Sequence, residues 1–111
     1  MTSKDDIIVF LRAFSIFNRQ QRISTIKHMT SVQCQILREV VYNLLFNSSI
    51  HISPKDRQYF NRRVNTLRML ASKRICAKEK RTILSTHQSL LKKVVHTVLN
   101  YLEETEKEEE R

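Results

Sequence analysis

The chain has 111 residues, with 20 Lys and Arg against 11 Asp and Glu, a formal charge of +9, no Gly and one Pro. This length fits one small domain, and the lack of Gly excludes the hairpin-rich sandwiches and barrels whose tight turns need it. The expected class is all-α: a compact bundle of four to six short-to-medium helices over residues 1–102, followed by an acidic tail over 103–111.

Ser3 is placed to cap a first helix, with Asp5 and Asp6 in the opening turn where negative charge suits the helix dipole. Ile7, Phe10, Leu11, Phe14 and Phe17 then recur on one face. Asn18 with Gln21 reads as a second cap, starting a short helix through Ile23, Ile26 and Met29. Thr30 with Gln33 is a capping box and opens a third helix. That helix carries Val32, Ile36, Val40 and Leu44 in one row, with Leu37, Val41 and Leu45 beside it. So wide an apolar face marks it as a central core element. Asn47-Ser48-Ser49 closes it, and Ile50-His51-Ile52 forms a short extended link.

Ser53 followed by Pro54 is the next start signal, since Pro at the first helical position forfeits an N–H that has no intrahelical partner anyway. Phe60, Val64, Leu67 and Ala71 continue from it as one stripe. Between Ser53 and Arg81 the cations are Lys55, Arg57, Arg62, Arg63, Arg68, Lys73, Arg74, Lys78, Lys80 and Arg81, opposed only by Asp56 and Glu79. The segment therefore holds a net +8 of the chain's +9. Such concentration is the electrostatic footprint of a polyanion binder. The competing reading is a solvated face, on which the stems of Arg57, Arg63 and Arg68 cover core edges. Two features favour binding: the cations are not interspersed with acids, and they run through the turn at Ser72–Cys76, which Ile75 anchors, into the next helix.

The final helix starts near Ala77 and bears a doubled stripe from Ile83 to Leu102. A second capping pattern at Ser85-Thr86-His87-Gln88 leaves open a break there. EETEKEEER closes the chain with a charge of −4 and no apolar residue, the pattern of a solvated, fraying end.

No enzyme signature accompanies this pattern, and no cofactor is expected. Without Gly there is no phosphate loop and no nucleophile elbow. Carboxylates before the tail are only Asp5, Asp6, Glu39, Asp56 and Glu79, too few for a two-metal or glycosidase site. Cys34 and Cys76 lie far apart, and His28, His51, His87 and His96 form no Cys/His pair at zinc spacing. The cysteines read as small buried or half-buried residues of a reducing compartment. His87, within the last stripe, reads as a hydrogen-bonded residue at the core edge. Tyr59 is the one candidate stacking residue in the basic segment, because Phe60 heads the apolar stripe. The opening MTSKDD and the interruption at Arg12 argue against a signal peptide, and no apolar run reaches bilayer length. An intracellular protein of the nucleus or a virion is expected.

The stretch from about Arg19 to Leu84 resembles the small basic proteins encoded by Maverick/Polinton-type and adintovirus-like elements of invertebrate genomes. The resemblance is carried by QQRISTIKHMT, ILREVVYNLLFNSSIHI, SPKDRQYFNRRVNTLRMLASKRI and AKEKRTILS, in that order and spacing. It covers roughly the middle three fifths of the chain. It implies a viral-element protein that acts with DNA or in the virion, and it supplies no catalytic or contact residue. Members of that family continue into a Gly-rich apolar tail, whereas this chain ends in an amphipathic helix and acids, so no function of that tail carries over.

The expected function is non-enzymatic, mostly sequence-independent nucleic-acid binding, with DNA ahead of RNA, through the ten cations named above. The alternative is a helical adaptor or virion scaffold that binds a protein partner or a second copy through apolar helix faces. A third reading, an interfacial membrane helix over 77–102, conflicts with the core's need for that face.

Overall fold

The computed structural model describes residues 3–109. Seven helices make up the fold among these residues: α1 (Lys4–Ser15), α2 (Arg19–Lys27), α3 (Ser31–Phe46), α4 (Pro54–Asn61), α5 (Val64–Ala71), α6 (Ala77–Thr86) and α7 (Gln88–Glu109), with no strand. The all-α class stands. The count exceeds the expected four to six because the basic segment and the final amphipathic stretch each break in two.

The first four helices begin where side-chain chemistry says they should. Ser3 Oγ accepts from the Asp6 amide at 3.1 Å, and Ser53 Oγ from the Asp56 amide at 3.2 Å. Asn18/Gln21 and Thr30/Gln33 both form reciprocal capping boxes. Each cap satisfies amides that would otherwise lack partners in the first turn.

α3 packs against α5 and α7, α1 lies along α7, and α2 sits on α6. The core they enclose includes Leu11, Phe14, Ile26, Val40, Val41, Leu67, Leu91, Val94 and Val95, all essentially removed from solvent. The Cα radius of gyration is 13.4 Å, close to the roughly 13 Å expected for a compact domain of this length.

Four expected faces need correction. Val32, placed in the core row of α3, is 64% exposed, because it lies in the first helical turn ahead of the buried stretch that begins at Cys34. Ile23 of α2 is also exposed. Ile8 and Leu70 are buried although the stripes read from the sequence omitted them.

The break between α4 and α5 falls at Arg62–Arg63, within what the sequence presents as one continuous stripe. There the Arg63 amide donates to the Phe60 carbonyl at 2.9 Å, and its side chain takes the Tyr59 carbonyl at 3.0 Å. The side chain thus occupies the carbonyl that the amide would bond in an unbroken helix. The second break, at His87, closes the question left open by Ser85–Gln88. Gln88 Nε2 donates to the Ser85 carbonyl at 3.5 Å, so the expected capping box does not form. His87 itself is exposed at the junction rather than at the core edge.

Helix α7 runs past Leu102 to Glu109, so the acidic run is helical rather than frayed as far as the structure describes it; Glu110 and Arg111 lie outside the described residues. Arg12 Nε donates to Glu103 at 3.3 Å and its Nη2 lies 3.5 Å from Glu106, tying this part of α7 to α1. Among the described residues, no helix is long and apolar enough to cross a membrane.

Candidate nucleic-acid interface

Seven of the ten cations expected to contact nucleic acid are exposed: Lys55, Arg57, Arg62, Arg68, Lys73, Arg74 and Lys78. Their elements explain the exposure. Phe60 of α4, with Leu67 and Leu70 of α5, turns inward, which leaves the charged positions on the outer faces of two short helices. Lys73 and Arg74 lie in the turn after α5, where Ser72 Oγ accepts the Arg74 amide at 3.1 Å and Ile75 is half-buried.

Three of the ten sit differently. Lys80 is only 7% exposed, and its stem packs with Cys34, Leu37 and Leu84 of the α3–α6 contact. Burial lowers its pKa, and the Arg38 guanidinium adds to that effect. Since Lys80 also borders a shallow recess with Arg38 and Lys73, its ammonium keeps a route to water while its stem serves the core. Arg81 is half-buried and donates Nη1 to the Met29 carbonyl at 3.4 Å, bracing α6 against the end of α2. Arg63 is half-buried at the α4–α5 break with its guanidinium 3.7 Å from the Tyr59 ring centroid, a cation–π contact. Lys93 Nζ approaches the same ring at 5.6 Å. Tyr59 is half-buried and engaged by these cations, unlike the stacking platform expected of it.

None of the ten cations pairs with a carboxylate among the described residues. The local acid best placed to neutralise them, Asp56, is taken by Lys93 of α7 at 2.9 Å. The hydrogen bond from Lys93, with its charge and the Ser53 hydroxyl, holds the Asp56 carboxyl below its ordinary value. The positive potential of the segment is therefore only weakly offset at close range, by Asp56 acting on Lys55.

The fold also gathers cations that sequence order keeps apart. Arg19 and Arg22 of α2, Arg63 of the α4–α5 junction and Lys92 of α7 line one recess of about 570 Å³, together with Tyr59 and the α6–α7 junction. No carboxylate lines it. Arg22 Nη1 is fixed on the Phe17 carbonyl at 2.8 Å, while its buried Nε has no partner. Only Arg63 belongs to the basic segment read from the sequence. The others carry no local signal, since nothing in the spacing of Arg19, Arg22 and Lys92 says that α2 and α7 meet the α4–α5 turn.

Nor do the described residues contain a cluster of His, Cys, Asp or Glu able to hold a metal ion. Cys34 is buried, whereas Cys76 is exposed, outside the range expected for it. Comparison with protein-family models, curated proteins and solved structures found no match for this chain.

Proposed function

We propose that this chain is a non-enzymatic nucleic-acid-binding protein of a viral or mobile element that grips phosphates with little base readout. The observation that carries the proposal is the set of ten cations between Lys55 and Arg81, seven of them exposed and none paired with a described carboxylate. Arg and Lys in this state exchange counterions of a polyanion for themselves, which makes binding favourable at low salt. Phosphate contacts position a protein without reading sequence. Unrelated duplexes of equal length should therefore bind within about a factor of ten of each other. A preference well beyond that for one duplex would refute backbone-dominated binding. DNA is the favoured polymer, and the nucleus or a virion the favoured place.

A second reading, a helical adaptor or virion scaffold, draws on a different observation. Tyr42 and Phe46 stand exposed on α3 with ring centroids 4.9 Å apart, beside a groove of about 650 Å³ bordered by Ile7, Ile50, Tyr101 and Leu102. Apolar surface of this kind suits a protein partner or a second copy. If it serves self-association, sedimentation would detect a dimer that Tyr42→Ser with Phe46→Ser dissolves. A monomer at all concentrations would leave that reading without support.

A further inference from the structure

The recess between α2, the α4–α5 junction and the start of α7 is separate from the exposed cations of the basic segment, and it differs from them in shape and in charge density. We infer that it binds a terminal phosphate, a phosphomonoester at the end of a nucleic-acid strand. The choice of strand rests on the nucleic-acid reading above, and the pocket itself rests on its own geometry.

Four formal cations, Arg19, Arg22, Arg63 and Lys92, face one space with no carboxylate in its lining. A terminal phosphate carries close to two negative charges at neutral pH, while an internal phosphodiester carries one. Concentrated, uncompensated positive charge discriminates in favour of the former. The recess, at about 570 Å³, is within the range of pockets that take a small ligand, which suits a protruding group better than the side of a continuous duplex.

Two of the four cations are already held in place. Arg63 lies on the Tyr59 ring at 3.7 Å and bonds the Tyr59 carbonyl, and Arg22 bonds the Phe17 carbonyl. Side chains fixed before binding lose less freedom when the ligand arrives. Gln88 and Ser89, in the first turn of the long helix α7, complete the wall.

The test compares one single-stranded DNA oligonucleotide carrying a phosphate at its 5′ end, at its 3′ end, or at neither, by fluorescence anisotropy with the full chain at 0.1 M salt. One phosphorylated form should bind about tenfold tighter than the unmodified strand, the scale of a charge-assisted contact. Millimolar inorganic phosphate should erase that advantage. Arg19→Gln and Lys92→Gln, both at exposed positions, should each reduce the advantage toward one while leaving the melting temperature unchanged. Arg57→Gln, in the basic segment, should weaken all three strands and preserve the ratio. Equal affinity for the three strands overturns the pocket, and if binding still falls with salt the broader nucleic-acid reading survives. An advantage that persists in both variants places the phosphate elsewhere and also overturns the pocket. Failure of every strand to bind, with or without phosphate, overturns both proposals. Binding of inorganic phosphate at Arg19 and Lys92 without any preference among strands overturns the strand end as ligand.

Discussion

Arg62 lies in the α4–α5 break and Leu67 five residues on, within α5, and substituting each with Ala separates fold from function. Leu67 is 0% exposed, so Leu67→Ala deletes a side chain that has no solvent to relax into. Losses of this kind cost about 2–5 kcal/mol, the spread reflecting how far the cavity collapses. The upper half is expected here, because Leu67 and the buried Leu70 sit on a short helix packed against α3. A chain of 111 residues unfolds with an entropy of about 0.23 kcal/mol/K, so the melting temperature should fall by roughly 15–20 °C. Arg62 is exposed and makes no side-chain bond to a described residue, so Arg62→Ala should cost less than about 0.5 kcal/mol. It should nevertheless weaken duplex binding and flatten its log–log salt slope by about 0.9. Thermal melts by circular dichroism and anisotropy titrations read both effects on the same samples. A Leu67→Ala protein that melts with the wild type, or an Arg62→Ala protein that is unfolded, would refute the facing assigned to these helices.

Lys80→Met should stabilise the fold slightly at pH 7, since it removes a partly desolvated charge and keeps an apolar stem of similar length, and it should leave DNA affinity within about twofold. Because burial lowers the folded pKa of Lys80 below 10.5, the unfolded chain holds that proton more tightly. The wild type should therefore gain stability on the variant as pH rises through the folded pKa toward 10.5; a constant difference would refute this. Asp56 runs the other way: its carboxyl is held below 3.8, so its contribution is present above that value and is lost as pH falls through the folded pKa. Lys93→Met should remove this share of the acid sensitivity, and an unchanged acid-melting profile would count against the pair. Truncation after Leu102 removes Glu103 and Glu106 from Arg12, and should lower the melting temperature by a few degrees while tightening DNA binding several-fold at low salt. If the truncated chain binds no tighter, the acidic end does not compete for the basic surface.

The helix starts were legible because capping is local. Ser3, Asn18, Thr30 and Ser53 each bond an amide three residues on, and the side-chain type alone announces the possibility. The break at Arg63 was not legible, because Phe60, Val64, Leu67 and Ala71 keep helical spacing across it and no Gly or Pro marks it. Its agent is an arginine bonding a carbonyl four residues back, aided by Val64, Asn65 and Thr66, which favour helix only weakly. Burial of Lys80 was hidden for a related reason. A lysine beside Glu79 and Arg81 looks exposed in sequence, and only the approach of Cys34 and Leu37 on α3 encloses its stem. The recess around Arg19, Arg22, Arg63 and Lys92 depends on three elements distant in sequence, so no window of the chain contains it.

The central claim is that the exposed cations of the basic segment bind nucleic-acid phosphates, and the salt dependence of duplex DNA affinity tests it most directly. Titration between 50 and 200 mM salt should give a straight log–log plot with a slope of about −4 to −6, corresponding to most of the seven exposed cations each releasing a counterion. No binding at about 50 mM salt, or an affinity that does not change across that range, would contradict the account.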